Sequence, residues 1–178
     1  MIHINQSKCT GCRRCETACS FFHTGRVNNR LARIKVIQTY EDGLDGPILC
    51  IQCKERYCLK CPEKALSIGP LGQIIYSPTV CTVCEACELS CPIGAIEIYN
   101  DLVYVCDLCD GDPKCVKACT EGALLFFKNT QEKEKEPEHP SLEKIKIESK
   151  KMNPSEKRLH YHKKISSGLR KRWERKDA

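Results

Sequence analysis

Sixteen cysteines in four short runs constrain this 178-residue chain more than any other feature of its sequence. Cysteines grouped so closely are typical of ligands for a metal ion or an iron–sulfur cluster. The cysteine content alone would also fit a small secreted protein held together by disulfides. Residues 1–5 show no charged segment leading into an apolar one, so we expect no secretory signal, a reducing compartment and a cytoplasmic protein. The cysteines are Cys9, Cys12, Cys15 and Cys19; Cys50, Cys53, Cys58 and Cys61; Cys81, Cys84, Cys87 and Cys91; and Cys106, Cys109, Cys115 and Cys119.

The third run carries the most specific signal, because it reads C-x2-C-x2-C-x3-C-P from Cys81 to Pro92. Bacterial ferredoxins bind [4Fe–4S] cubanes through this pattern. Its first three thiolates hold one cubane, and the fourth binds the neighbouring cluster in two-cluster ferredoxins. Pro92 is expected to end the short helix between them. A disulfide cluster or a zinc knuckle is the alternative, but zinc favours two separated C-x2-C pairs.

The other runs vary this pattern. The first keeps the spacing, with Ser20 in place of proline and Gly11 suited to a tight turn. The fourth has five residues between its second and third cysteines, and the second has spacings of two, four and two. His23 follows the first run, and we expect it to be a surface or packing residue, because clusters with histidine ligands are the minority type.

An internal repeat predicts the fold. After each of the last three runs an alanine and two alternating aliphatic positions recur, as in Ala95–Ile98, which indicates a small strand packed over a cluster. Strands are also predicted at 2–4, 32–37, 74–76 and 102–105, and a turn at 41–47. The expected fold class is therefore α+β, with two ferredoxin-like modules in residues 1–127, stabilised largely by bound clusters.

The composition changes after Phe127. We predict a charged linker at 128–152 and an amphipathic basic helix at 153–178, starting with Asn153 as N-cap. An isolated helix of this kind is marginal, so it should dock on the ferredoxin body or on a partner, and we predict docking on the catalytic partner; a disordered tail is the alternative. Its predicted apolar face contains Leu159, His162, Ile165, Leu169 and Trp173.

The formal net charge of +6 resides in this tail, since residues 128–178 carry +7 and residues 1–127 carry −1. Four oxidised cubanes bound by thiolates would make the whole protein slightly negative, at about −2. The bulk charge is therefore weak evidence for nucleic-acid binding. No apolar stretch is long enough to suggest a membrane span.

With all four runs considered, residues 1–127 resemble the four-cluster iron–sulfur subunits of the dimethyl-sulfoxide-reductase type. Within these, the chain is most similar to the small electron-transfer subunit of tungsten enzymes of the aldehyde ferredoxin oxidoreductase family, which includes class II benzoyl-CoA reductases. Residues 19–26, 32–36 and the tail segments 155–161 and 169–173 carry this narrower resemblance.

The resemblance implies that run one pairs with run four, and run two with run three. The implied ligand sets are Cys9, Cys12, Cys15 and Cys119; Cys106, Cys109, Cys115 and Cys19; Cys50, Cys53, Cys58 and Cys91; and Cys81, Cys84, Cys87 and Cys61. The family has three residues between the last two cysteines of run two, whereas this chain has two. Cys61 and Cys91 are therefore the least secure ligands. Four cubanes are expected, with three clusters, or a zinc site at Cys50, Cys53, Cys58 and Cys61, as the alternatives.

The predicted function is electron relay to or from a large catalytic subunit, with tungsten or molybdenum pterin implied by the resemblance, and with a ferredoxin or further subunit as redox partner. The chain shows no dinucleotide fingerprint, and we expect no catalytic site of its own. A free-standing polyferredoxin and a zinc-stabilised nucleic-acid-binding protein are the rivals. Basic residues beside the ligands could raise cluster potentials or simply be solvated; they are Arg13, Arg14, Lys54, Arg56, Lys60, Lys114 and Lys117.

Overall fold

The computed structural model describes residues 1–39, 43–127 and 140–174, with side chains described as far as residue 169. Its eight strands form four separate two-stranded antiparallel sheets. Two-stranded pairs of this length are not stable alone, so their stability depends on packing against the cysteine loops. The pairs are β1 (Ile2–Ile4) with β8 (Leu124–Phe126), β2 (Lys35–Thr39) with β3 (Leu44–Ile48), β4 (Leu66–Ile68) with β5 (Ile74–Tyr76), and β6 (Glu97–Tyr99) with β7 (Leu102–Tyr104).

Most predicted strands are present within one to three residues, and the α+β class is confirmed. The turn predicted at 41–47 was wrong at its end, because residues 44–47 belong to β3. Pro47 is tolerated there because β3 pairs on one side only, with β2, and a strand edge does not require the missing N–H.

Short helices follow the cysteine loops. The α-helices are α1 (Arg14–Thr24), α2 (Ala86–Ser90) and α3 (Lys114–Lys117), and the second run instead has a 3₁₀ helix at Tyr57–Lys60. Further 3₁₀ turns lie at Gln6–Lys8, Asn29–Leu31, Pro78–Val80 and Leu108–Gly111. Each short helix therefore places the last cysteine of its run about one turn beyond the loop.

Two apolar clusters form the interior, and they divide the cysteine runs as the ferredoxin-like modules predict. One contains Cys15 and Cys19 of run one with Cys106 and Cys115 of run four. The other contains Cys58 of run two with Cys87 and Cys91 of run three. The pairing of β1 with β8 joins the two ends of residues 1–127, which brings the first and last runs together.

The C-terminal region differs from the expectation in one respect. The segment predicted as a charged linker contains α4 (Leu142–Glu148), whose Ile145 is buried in the core of runs two and three. The remainder of that linker, 128–139, lies outside the described residues. Among the described residues, no helix is long and apolar enough to cross a membrane.

The predicted basic helix is present as α5 (Pro154–Glu174). Its predicted start is confirmed by a capping box, in which the Glu156 N–H donates to Asn153 Oδ1 at 2.9 Å and the Asn153 N–H donates to the Glu156 carboxylate at 2.8 Å. The helix packs against β2 and β3, and His162 Nε2 donates to the Leu44 carbonyl at 2.8 Å. The body itself therefore covers the first half of this helix.

The predicted inner face of α5 was partly wrong. Leu159 is 38% exposed, whereas His162 is buried and Ile165 packs against the core of runs two and three, as predicted. Lys157, Arg158 and Tyr161, which were not predicted on this face, are also buried. The face turned toward the body is polar because it meets backbone carbonyl groups as well as side chains. The side chain of Trp173, also assigned to the apolar face, lies outside the described residues.

Candidate iron–sulfur sites

Three cavities are each lined by four cysteines and by mostly apolar residues. They are similar in size, with empty volumes of about 360, 300 and 330 Å³ including the space open to solvent at their mouths. Four converging thiols in an apolar cavity suit a cubane, which binds four thiolates. The cysteines are Cys50, Cys53, Cys58 and Cys91 in the first cavity; Cys61, Cys81, Cys84 and Cys87 in the second; and Cys9, Cys12, Cys15 and Cys119 in the third.

The four remaining cysteines also lie together. The pKa of Cys106 is raised to about 12, mainly by burial and with smaller contributions from Cys19 and Cys109. Burial likewise raises the pKa of Cys115, with added repulsion from Cys106, Cys19 and Cys109. Cys19, Cys106 and Cys115 also belong to one apolar cluster. Twelve thiols thus line three cavities in the combinations that the resemblance implies, and the other four are the predicted fourth set.

Although run two is one residue shorter than the family pattern, Cys61 still lines the cavity of Cys81, Cys84 and Cys87. Between Cys58 and Cys61 the chain is a 3₁₀ helix, in which three steps turn by about 360° and rise by about 6 Å. Between Cys87 and Cys91 it is an α-helix, in which four steps turn by about 400° and rise by about 6 Å. The tighter helix therefore offsets the missing residue. Cys61 lines the cavity of run three, apart from the cavity of Cys50, Cys53 and Cys58, where the zinc alternative would need it.

The backbone of every cysteine loop adopts a left-handed conformation immediately before the second cysteine. This position has a φ of +67° at Gly11, +52° at Gln52, +55° at Val83 and +62° at Leu108. Positive φ is unfavourable for residues other than glycine, and above all for β-branched valine. In runs one and three a second left-handed residue, Arg13 or Glu85, follows the second cysteine, whereas residues 108–110 of run four are left-handed in succession. Left-handed residues in such loops turn N–H groups toward one centre, which suits anions such as iron–sulfur clusters.

Backbone N–H groups are directed at several sulfur atoms. Arg33 N–H donates to Cys19 Sγ and Ala95 N–H donates to Cys91 Sγ, each at 3.3 Å. Burial raises the pKa of the first cysteine in runs one, two and four, and the N–H two residues later partly opposes this effect; these donors are Gly11, Gln52 and Leu108. Such hydrogen bonds stabilise thiolates and tune the metal they bind.

In the protein without iron, burial has the largest effect on the pKa values of several thiols. It raises the pKa of Cys15 to about 12, and the pKa of Cys58 and Cys87 to about 11. These thiols are therefore protonated at neutral pH in the protein without iron. Because the ligand is the thiolate, cluster binding must release protons, and the free energy of iron–sulfur bonding must offset the burial of charge.

The four sites lie side by side, and the last two share the apolar core that contains Cys58, Cys87 and Cys91. Cys15 of one site raises the pKa of Cys115 in the next, and Cys106 of that second site raises the pKa of Cys50 in a third, in both cases after the larger effect of burial. Gln52 Nε2 also donates to the Cys106 carbonyl at 3.1 Å, which joins the two modules. The only exposed cysteines are Cys12 and Cys84, which belong to the first and last sites of the series.

His23 lies closer to a site than the sequence suggested. Its Nε2 is 3.7 Å from Cys109 Sγ and 3.6 Å from Asp107 Oδ1, and Asp107 also binds Arg33. Burial lowers the pKa of His23, so the neutral ring is favoured and its N–H can donate to the sulfur or to the carboxylate. The ring is thus placed beside a ligand sulfur, where hydrogen bonds affect the cluster potential.

The basic residues flanking the ligands have other partners in several cases. Arg13 binds Glu16 and Gln38, Arg56 binds Gln52, and Lys114 and Lys117 both pair with Asp112. The C-terminal region makes a different contribution, for which the local sequence has no signal. Leu142 of α4 lines the cavity of Cys50, Cys53, Cys58 and Cys91.

Similarity to known proteins agrees with this geometry. The 4Fe-4S binding domain family matches residues 1–23. The polyferredoxin-like subunit of an aliphatic sulfonate oxidoreductase from Pyrococcus furiosus is 39% identical, over 67% of this chain and 71% of the relative. The chain belongs to the polyferredoxin-like family of [4Fe–4S] proteins. A ferredoxin from Methanocaldococcus jannaschii is 35% identical, over 86% of this chain and 97% of its own length.

Membership of the polyferredoxin-like family establishes [4Fe–4S] clusters as the cofactors and electron transfer as the function. Among solved structures, the active-site complex of benzoyl-coenzyme A reductase as isolated is 27% identical, over 70% of this chain and 74% of the matched chain. Its TM-score of 0.41 is too low to indicate the same overall arrangement.

Proposed function

We propose that this polyferredoxin binds four [4Fe–4S] clusters and relays electrons between a catalytic oxidoreductase subunit and a second redox partner. The convergence of twelve thiols on three cavities, with the other four cysteines left as a fourth set, supports the proposal. The proposed ligand sets are Cys9, Cys12, Cys15 and Cys119; Cys19, Cys106, Cys109 and Cys115; Cys50, Cys53, Cys58 and Cys91; and Cys61, Cys81, Cys84 and Cys87.

The protein's own residues support relay in three ways. The apolar linings exclude water from the sites, the loop N–H groups stabilise negative charge on sulfur, and the series of neighbouring sites gives a path through the interior. Cubanes supply one-electron redox chemistry when bound. The exposed edges at Cys12 and Cys84 are the two places where electrons enter and leave the chain.

The catalytic partner is proposed from the relatives. The Pyrococcus relative is described as a subunit of an oxidoreductase, which supports a large partner subunit for this chain also. The family resemblance supports tungsten or molybdenum pterin in that subunit. Cysteines that act as cluster ligands are also expected in a reducing cytoplasm. A free-standing polyferredoxin remains a second candidate, because α5 packs on the body instead of presenting its first half to a partner.

Iron analysis tests the number of clusters. Protein purified without oxygen should be brown, should bleach with dithionite, and should contain sixteen iron atoms per chain without stoichiometric zinc, because each set of four thiols binds one cubane. Twelve irons, with or without one zinc, would overturn the four-cluster assignment at Cys61. A colourless, folded, zinc-loaded protein would overturn the iron–sulfur function itself.

Gel filtration of native extract distinguishes the two assemblies. As a subunit, the chain should elute with a much larger protein, and that protein should carry the pterin metal. Elution of the brown, fully loaded chain at its own size of 20.2 kDa would favour the free-standing polyferredoxin.

A further inference from the structure

The ammonium group of Lys157 is buried against the loop that carries Cys91. Its Nζ donates to the Leu89 carbonyl at 2.8 Å and to the Glu88 carbonyl at 3.3 Å. Both carbonyls lie in the last turn of α2, and the Glu88 carbonyl also accepts the backbone N–H of Cys91 at 3.3 Å. Lys157 thus caps the short helix that separates Cys87 from Cys91.

The positive charge of Lys157 is costly because the side chain is buried. Lys157 is only 2% exposed, and an uncompensated buried ammonium group is strongly unfavourable. Burial lowers its pKa, whereas Cys91 and Glu88 raise it by favouring the charged form. A cluster bound through Cys91 would provide the compensating negative charge for this cation.

The neighbouring cation, Arg158, differs from Lys157 in its partner. It donates to the Gly94 carbonyl at 2.9 Å and pairs with Glu97 at 3.3 Å. Glu97, which also pairs with Lys35 at 3.6 Å, therefore offsets part of the charge of Arg158 through direct contact. Lys157 donates to neutral carbonyls, and the Glu88 carboxylate acts on its charge through space. Of the two cations, Lys157 is the better source of positive potential at the cluster.

The contact is specific because the chain is closely fitted around it. A Cβ atom added to Gly94 would lie 2.2 Å from the Pro154 carbonyl and 3.1 Å from Lys157 Cβ. Ser149, just after α4, donates through Oγ to the Pro92 carbonyl at 3.2 Å. The C-terminal region therefore holds the segment following Cys91 from two sides.

We propose that Lys157 raises the reduction potential of the cluster bound by Cys50, Cys53, Cys58 and Cys91. The inference rests on the proposed function, since it requires that cluster. Reduction adds one electron and one negative charge to an already anionic cluster, so a fixed cation nearby stabilises the reduced form more than the oxidised form. Lys157 acts on the cluster through its charge and does not bind iron itself.

An electron paramagnetic resonance redox titration of the anaerobically purified full chain tests this. Lys157→Met should shift one of the four midpoint potentials to a more negative value and leave the other three unchanged. The shifted signal should be the one that Cys53→Ala perturbs. Lys157→Arg retains the charge and should keep most of the potential, and Lys151→Met removes an exposed lysine of the same region and should change none.

The iron content separates the possible failures. If the unmodified protein has fewer than sixteen irons, the proposed function fails; if it has sixteen and Lys157→Met shifts no potential, only the role of Lys157 fails. If Lys157→Met loses iron, Lys157→Gln decides, because its amide N–H can still donate to the carbonyls of α2 while the charge is removed. A negative shift in the same signal then supports the proposal, and unchanged potentials overturn it.

Discussion

Replacing Cys61 and Cys84 together with alanine should destroy no more clusters than replacing either residue alone. The two thiols line one cavity although they come from different runs, so both substitutions damage the same site. Replacing Cys61 together with Cys53 should instead damage two sites, because Cys53 lines the neighbouring cavity. Mössbauer spectroscopy of iron-57 protein should therefore find three intact cubanes in the first double variant and two in the second.

The comparison of the two double variants contains its own control. Each removes two thiols, so a general loss of folding would affect both equally, whereas shared ligation makes the effects of only one pair non-additive. If the Cys61 and Cys53 variant kept three cubanes while the Cys61 and Cys84 variant kept two, the cysteines of run two would bind one site among themselves. That result would restore the zinc-type arrangement of run two.

Gly94→Ala should loosen α5 and destabilise the module of runs two and three. Gly94 has a φ of +63°, and a Cβ there would collide with the Pro154 backbone at 2.2 Å. The left-handed conformation costs an alanine about 1–2 kcal/mol, and relief of the collision adds a displacement of the helix. We expect a total loss of about 2–4 kcal/mol. Hydrogen exchange should accelerate across residues 154–166.

Gly122→Ala is the matched control for this change. Gly122 also has a φ of +63°, but nothing lies within 4 Å of an added Cβ. It should therefore show the conformational penalty of about 1–2 kcal/mol without faster exchange in α5. Equal exchange rates in α5 for the two variants would show that the contact between Gly94 and Pro154 does not hold the helix.

Much of this structure was predictable from local sequence. The C-x2-C-x2-C-x3-C spacing specifies thiolates around a cubane, and the aliphatic alternation after the runs specifies short strands, because both depend on neighbouring residues alone. The capping box of α5 is of the same kind, since Asn153 and Glu156 satisfy each other's N–H groups within one turn. The assignment of ligands to shared sites came from the family resemblance, not from spacing.

The features that local sequence did not predict depend on contacts with distant parts of the chain. The conformation at Tyr57–Lys60 decides where Cys61 points, and both 3₁₀ and α geometry were compatible with the local residues. Ile145 lies in a charged segment with little apolar character, and only the core of runs two and three gives it a place to be buried. The inner face of α5 was read from apolar residues, yet it carries Lys157 because backbone carbonyls lie opposite.

The sequence by itself determined the cofactor chemistry, the number of thiols and the repeated strand–loop–helix unit, since these follow from ligand spacing and short-range periodicity. Tertiary structure decided that Cys12 and Cys84 reach the surface while the other thiols are more buried, and these two positions are the proposed ends of the relay. It also decided that a buried lysine from the tail faces the loop of Cys91. Burial and long-range electrostatics arise from packing between segments far apart in the chain, so local sequence does not contain them.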